Sequence, residues 1–179
     1  MALLLRTCEG AGQTVTVTEV ALRPIDDQNR SVLDKFWQLY RHDLSEFRNS
    51  HPDKSGLFGD ERLLTFFGDA DRVAYLMYGA ERPVGFAFVR GLDAPARVVA
   101  EFFVIRSVRR TGIGLKAAQQ LLQLHPGQWE IPFQEENPGA ARFWRAVAAS
   151  VTSGNFHEER RQDPERSFIP PDVWITLTV

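Results

Sequence analysis

The residues with the clearest chemical capacity are Arg109, Arg110, Thr111, Gly112, Ile113, Gly114 and Leu115, which follow a largely apolar run from Val98 to Ile105. The run reads as a buried strand, and the segment after the glycines carries helical periodicity. A basic turn and two glycines therefore stand between a strand and a helix. Glycine lets a backbone approach a ligand closely. The first N–H groups of a helix have no carbonyl partner within it, and its dipole places roughly half a positive charge at that end. Such a turn binds anions. A pyrophosphate fits it, with the backbone N–H groups of Arg110 to Leu115 forming the cradle and Arg109 or Arg110 reaching a phosphate through its side chain.

Two other glycine-rich phosphate sites fit less well. A Walker loop needs four residues between its glycines and a Lys-Ser/Thr after them, and Gly112-Ile-Gly114 has neither. Gly112, Gly114 and Ala117 do satisfy G-x-G-x-x-A, with Glu130 near the position of the acid in a dinucleotide fold. In that fold, however, the glycines sit directly at the strand end, and here a loop intervenes. The strands before it also read as a hairpin series, not as the start of a βαβ unit. His42, His51, His125 and His157 show no pairing four residues apart that would suggest a metal, so none is expected. The one cysteine, Cys8, excludes an intramolecular disulfide, suits a reducing compartment and is not expected to be catalytic.

Those residues need elements to hold them. Thr14 to Ile25 alternates as a half-buried strand, after a flexible segment at 1–12. Ser31 is a candidate N-cap for a helix to about Arg48, with Leu33, Phe36, Trp37, Tyr40, Leu44 and Phe47 as its apolar stripe. Asn49 to Gly56 is a loop by composition. A second helix is expected from about Asp60 to Phe67. Arg72 to Tyr78 and Val84 to Val89 read as strands joined by a medium loop, Gly79 to Pro83. The helix after the glycines carries Ala118, Leu121, Leu122 and His125 and stops at Pro126-Gly127. Trp129 to Phe133 is a short strand. Asn137 caps the next helix, with Pro138 at its first position and Ser153-Gly154 at its end. Residues 155–164 are mostly polar, and Ser167 to Ile169 and Val173 to Val179 read as strand-like pieces. The order predicts an α/β (α+β) fold, a mixed, mostly antiparallel sheet of six or seven strands flanked by about four helices, with 13–179 as one domain.

Arg109-Arg-Thr-Gly112-Ile-Gly114 matches the R/Q-x-x-G-x-G/A signature of acyl-CoA-dependent N-acyltransferases, and the chain here resembles the GNAT superfamily. Asn137-Pro-Gly-Ala-Ala-Arg-Phe-Trp144 is similar to the second signature of that superfamily, and both fall in the right order. The resemblance is best over residues 73–150. Asp43 to Phe47, Glu101 to Val104 and Phe143 to Arg145 resemble an uncharacterised group of predicted acetyltransferases within it. The resemblance implies a strand at Phe103 and Val104 that splays from its neighbour and pairs with the pantetheine arm through main-chain groups. It gives Asn137 a hydrogen bond to the cofactor and Glu101 the role of general base. Asp43 and Glu46 fall in the region of the acceptor groove, where they would bind a cationic substrate or form a solvated helix face. Trp144 stands where many members carry a tyrosine that protonates the departing thiolate, and is expected to be a wall of the core or cofactor site.

The expected activity is transfer of an acetyl group from acetyl-CoA to a primary amine of a small molecule or peptide, by direct attack in a ternary complex. The alternative is a non-catalytic acyl-CoA-binding or interaction module of the same fold. Net charge is −2, which gives no reason to expect nucleic acid or a membrane surface as partner. The opening Met-Ala-Leu-Leu-Leu is too short for a signal core, and there is no stretch of about 20 apolar residues. A cytoplasmic location is expected, and a homodimer is compatible with a sequence that does not fix oligomeric state.

Overall fold

In a computed structural model, which describes residues 19–162 and 170–179, seven strands form one sheet in the order β1-β2-β3-β4-β5-β7-β6. The strands are β1 (Val20–Pro24), β2 (Arg72–Gly79), β3 (Arg82–Arg90), β4 (Ala96–Val104), β5 (Gln128–Phe133), β6 (His157–Arg161) and β7 (Asp172–Thr178). Every neighbouring pair is antiparallel except β4 with β5. The helices are α1 (Arg30–Arg48), α2 (Glu61–Leu64), α3 (Ile113–Leu124) and α4 (Pro138–Thr152), with a 3-10 turn at Arg106–Val108. This is the mixed, mostly antiparallel architecture expected. The segment 1–12 and the strand-like piece at Ser167 to Ile169 lie outside the described residues.

Side-chain alternation along the strands divides the core between two faces. On one face α1 and α2 cover an aromatic cluster of Leu33, Trp37, Leu76, Phe86, Phe88 and Phe103. Trp37 stacks on Phe88 at 6.2 Å and 11°, and Phe66 packs on Phe88 at 4.5 Å. On the other face α3 and α4 bury Leu121, Leu122, Val147 and Ala148 against Trp129, Ile131 and Ile175. Full burial of a Leu, Ile or Val side chain here contributes about 1.5–3 kcal/mol.

Four local expectations need correction. The cap of α1 is Asn29, and Ser31 lies inside the helix. The Asp26 carboxylate accepts the N–H groups of Gln28 and Asn29, and that turn starts the helix earlier. The β2–β3 connection is a two-residue turn in which Ala80 (φ 48) and Glu81 (φ 62) are both left-handed, the backbone form that matches strand twist. Helix α2 is one turn only, ending at Leu64, and the next residues turn so that Phe66 enters the core. His157–Arg161 is a strand although its side chains alternate nothing apolar; it is an edge, held by backbone pairing to β7.

Candidate active site

The parallel pairing of β4 with β5 extends only from Ala96 to Val98. Beyond Val98 the two strands part, β4 staying with β3 and β5 with β7. Ala100 is the extra residue of a bulge, since Phe88 faces Glu101 while Val89 faces Val99. Gly85 lets β3 follow the bent strand: a Cβ there would overlap the Phe103 carbonyl oxygen. That carbonyl therefore points to β3, and a trans peptide sends the Val104 N–H the opposite way, into the gap. The Ile105 N–H agrees with this, donating to Val84 of β3 at 2.9 Å.

A cleft of about 360 Å³ occupies the gap, lined on one side by Tyr40, Arg41, Arg48, Arg62 and Glu101 and on the other by Phe102, Asn137 and Trp144. It thus joins the α1–α2 face of the sheet to the α3–α4 face. Glu101 is 6% exposed and is the one buried charged residue among the described residues. The Tyr40 hydroxyl donates to its Oε2. Arg62 Nε approaches Oε1 at 2.5 Å as an ion pair, yet in a geometry that leaves Oε1 without an aligned hydrogen bond. Burial pushes the Glu101 carboxyl above the ordinary glutamate range, against the pull of Arg62, the Tyr40 hydrogen bond, Arg41 and Arg48. Burial and the adjacent carboxylate raise the Tyr40 hydroxyl well above its ordinary value, so it remains a donor.

At the far end of β4 the chain makes its 3-10 turn and enters α3 through Gly112, whose φ is +91°. No atom lies within 4 Å of the place a Gly112 Cβ would take. The first helical hydrogen bond is Lys116 N–H to Gly112 O, so the amides of the preceding turn have no acceptor in the helix. Ile113 is buried in the core. A Cβ on Gly114 would contact Phe143 at 3.4 Å and Val104 at 3.7 Å, which ties α3 closely to α4 and β4. Leu115 packs on the same core. The Thr111 hydroxyl donates back to Val108 O at 2.7 Å.

Arg109 does not stand free for a phosphate. Its Nε donates to Val104 O at 2.7 Å and its terminal nitrogen to Asp43. Arg110 is exposed and left-handed (φ 64), with no ion pair among the described residues. The expectation of Asp43 as a cation-binding group is corrected by the same contacts. Two guanidiniums, Arg109 and Arg106 (2.8 Å), occupy its carboxylate, and they outweigh burial to hold it below the usual carboxylate range. Glu46 is exposed, and neither acid lines the cleft. Phe103 is buried against Phe36 and Phe86, so only its main chain is available to a ligand. Asn137 Oδ1 accepts the Ala140 N–H at 3.0 Å, the expected cap. Trp144 packs edge-on to Phe102 (5.1 Å) and Phe143 (4.8 Å) and forms one wall of the cleft.

Sequence reasoning misses Tyr40, Arg41, Arg48 and Arg62. In the sequence Tyr40 is one member of an apolar stripe and nothing more. The usable signal is that Arg41, Leu44 and Arg48 fall at i, i+3 and i+7, which turns both arginines toward the edge of the buried face. Arg62 is legible only as a helix residue. The loop before it is tied to α1 by Trp37 Nε1 donating to Gly59 O and by two bonds between Gln38 and the Phe58 backbone, and these carry Arg62 to Glu101. Among the described residues no cluster of His, Cys, Asp and Glu is arranged to hold a metal ion, and no helix is long and apolar enough to cross a membrane.

A model of the acetyltransferase (GNAT) family matches residues 33–148. No curated protein sequence matches the chain. Among solved structures it is similar to an acetyltransferase from Thermus thermophilus, at 17% identity and a TM-score of 0.65, covering 91% of this chain and 99% of that one. An aminoglycoside acetyltransferase in complex with coenzyme A and kanamycin is similar at 16% identity and a TM-score of 0.65, over 89% of this chain and 95% of that one. A spermidine N-acetyltransferase from Vibrio cholerae in complex with coenzyme A and spermine follows at 12% identity and 0.60, over 89% and 95%. At these identities the likeness is one of fold.

Proposed function

The chain belongs to the GNAT acetyltransferase family, and from that premise we propose that it transfers the acetyl group of acetyl-CoA to a primary amine of a small molecule or peptide. The observation that carries this reading is the parting of β4 from β5, which opens a cleft lined by the buried Glu101 carboxyl. The residues present fit the co-substrate. Gly112 leaves open space before the first turn of α3, whose amides would take the pyrophosphate, with Arg110 beside them. The splayed main chain of Phe103 and Val104 would flank the pantetheine arm, and Asn137 and Trp144 would line its far wall. Acetyl-CoA supplies an activated acyl group and a thiol leaving group.

Glu101 takes a proton from the acceptor ammonium, directly or through water, as Tyr40 and Arg62 hold its carboxylate in place. Val104 N–H donates to the acyl carbonyl oxygen and stabilises the negative charge that grows there. The new bond is N–C and the bond broken is C–S; the acylated nitrogen gives up its second proton to solvent as the thiolate leaves, and the thiolate takes its proton from solvent. Trp144 has no acidic proton to give, so departure relies on the low basicity of a thiolate. A cytoplasmic location, where a lone cysteine stays reduced, belongs to the same reading.

Trp144 also favours a second reading, a protein that binds acyl-CoA without turnover. Thiol release from acetyl-CoA, measured over a panel of amines, decides between them. Amine-dependent release at a rate well above hydrolysis is expected; tight coenzyme A binding with no release on any amine would establish the second reading.

A further inference from the structure

The acceptor side of the cleft is rich in guanidinium groups. Arg41 and Arg48 reach it from α1 and Arg62 from α2. Against these three cations stand two acids, Glu101 and Asp172, so the lining carries one surplus positive charge even with both ionised, in a chain whose net charge is −2. Only Arg62 is closely paired. Arg48 lies 3.8 Å from Asp172 Oδ1, beyond hydrogen-bond length, and that oxygen is buried without a hydrogen-bond partner. Arg41 Nε is likewise buried and without a hydrogen-bond partner, its guanidinium carbon 6.0 Å from the Trp37 ring. Buried polar groups are normally satisfied, and guanidinium forks match planar oxyanions.

From this we infer that the acceptor is a small amine that also carries a carboxylate, an amino acid in type, with the carboxylate held by Arg41 and Arg48 and the amine presented to Glu101. The inference rests on the proposed acyl transfer and narrows its acceptor. The charge balance opposes polycationic acceptors, so kanamycin and spermine, bound by the two structural neighbours, are poor guides to this cleft. A coenzyme A phosphate is the other source of an anion. The arginines, however, stand on the α1–α2 face, whereas the first turn of α3 lies on the opposite side of the sheet. The transfer balances as before, giving an N-acetyl amino acid, free coenzyme A thiol and one proton.

The test compares each proteinogenic amino acid with its carboxamide, and both with spermine, as acceptors from acetyl-CoA. At least one amino acid should exceed its carboxamide by about tenfold or more in kcat/KM, the worth of a charge-assisted hydrogen bond. Arg48→Gln and Arg41→Gln should each raise KM for that amino acid by about tenfold, leave the Kd for coenzyme A unchanged, and lose the preference over the carboxamide. Arg48→Lys should restore part of it, which separates a charge from a fold defect. Carboxamides or spermine serving equally well would overturn the inference while leaving acyl transfer intact. Loss of coenzyme A affinity in the arginine variants would overturn it by assigning these groups to the cofactor. Calorimetric titration of the same amino acids with coenzyme A present reads the anion site without turnover. Binding of an amino acid but not its carboxamide, with no acyl transfer to any amine, would support the site and sink the transfer reading. Binding of none would sink the inference.

Discussion

Among single residues, the pair of Glu101 and Tyr40 governs the expected pH behaviour. Glu101 must be ionised to accept a proton, and burial raises its folded pKa. The acidic limb of kcat/KM should therefore turn at a pH above that of an ordinary glutamate, with activity lost as pH falls through it. Glu101→Gln should lower kcat by about 10²–10⁴-fold and remove that limb, as read from a pH–rate profile. Tyr40→Phe removes a hydrogen bond that lowers the Glu101 pKa, so its limb should move to still higher pH. A limb that stayed in place in the Tyr40 variant would show that the two groups do not act together. Glu101 is legible in the sequence only through its place in a family motif. The residues around it are not, because Tyr40 and Arg62 stand 61 and 39 positions away along the chain and meet it by packing alone.

Among the elements, two glycines do different work. Gly112 holds a left-handed φ at the mouth of α3 with open space before it. Gly112→Val should leave the fold largely intact, at a cost of about 1–3 kcal/mol for the strained backbone, yet abolish measurable coenzyme A binding by calorimetry. Unchanged affinity would remove the pyrophosphate from this turn. Gly85 has no free space at all, its Cβ position overlapping a carbonyl of β4. Gly85→Ala should destabilise the protein by about 2–3 kcal/mol in urea unfolding and weaken coenzyme A binding too, because it displaces the strand that lines the gap. Gly112 and Gly114 stand out in the sequence because they follow a basic turn beside a helix start. Gly85 does not, since nothing in its neighbours reveals that β4 bends against it.

Across the whole molecule, the aromatic cluster couples α1 to the sheet. Phe86 is fully buried and meets Trp37, Tyr40, Phe88 and Phe103 at 5.0–6.2 Å. Phe86→Ala should cost about 3–5 kcal/mol, a large part of the usual ~5–15 kcal/mol of net stability, and should also raise KM for the acceptor by loosening Tyr40. A stability loss with acceptor kinetics unchanged would show that the cluster only supports the fold. The exposed ion pairs contribute little beside this: the pair of Arg23 with Glu81 is open to water, where screening and side-chain entropy offset most of the attraction.

Local sequence was enough to set most of the element order and the starts of α3 and α4, since each depends on neighbours within a few residues: Gly112 at a helix start, Pro138 after Asn137, a helical repeat through Ala118, Leu121 and Leu122. Which residues line the cleft came only from the packed fold. Strand β6 is invisible in a polar run because an edge strand is held by main-chain pairing, which side-chain pattern does not report. Asp43 reads as a binding acid until the turn after β4 brings Arg106 and Arg109 onto it. The three arginines become one cationic surface only when α1 and α2 pack on the same face of the sheet, and long-range electrostatics, unlike periodicity, leaves no mark in local spacing.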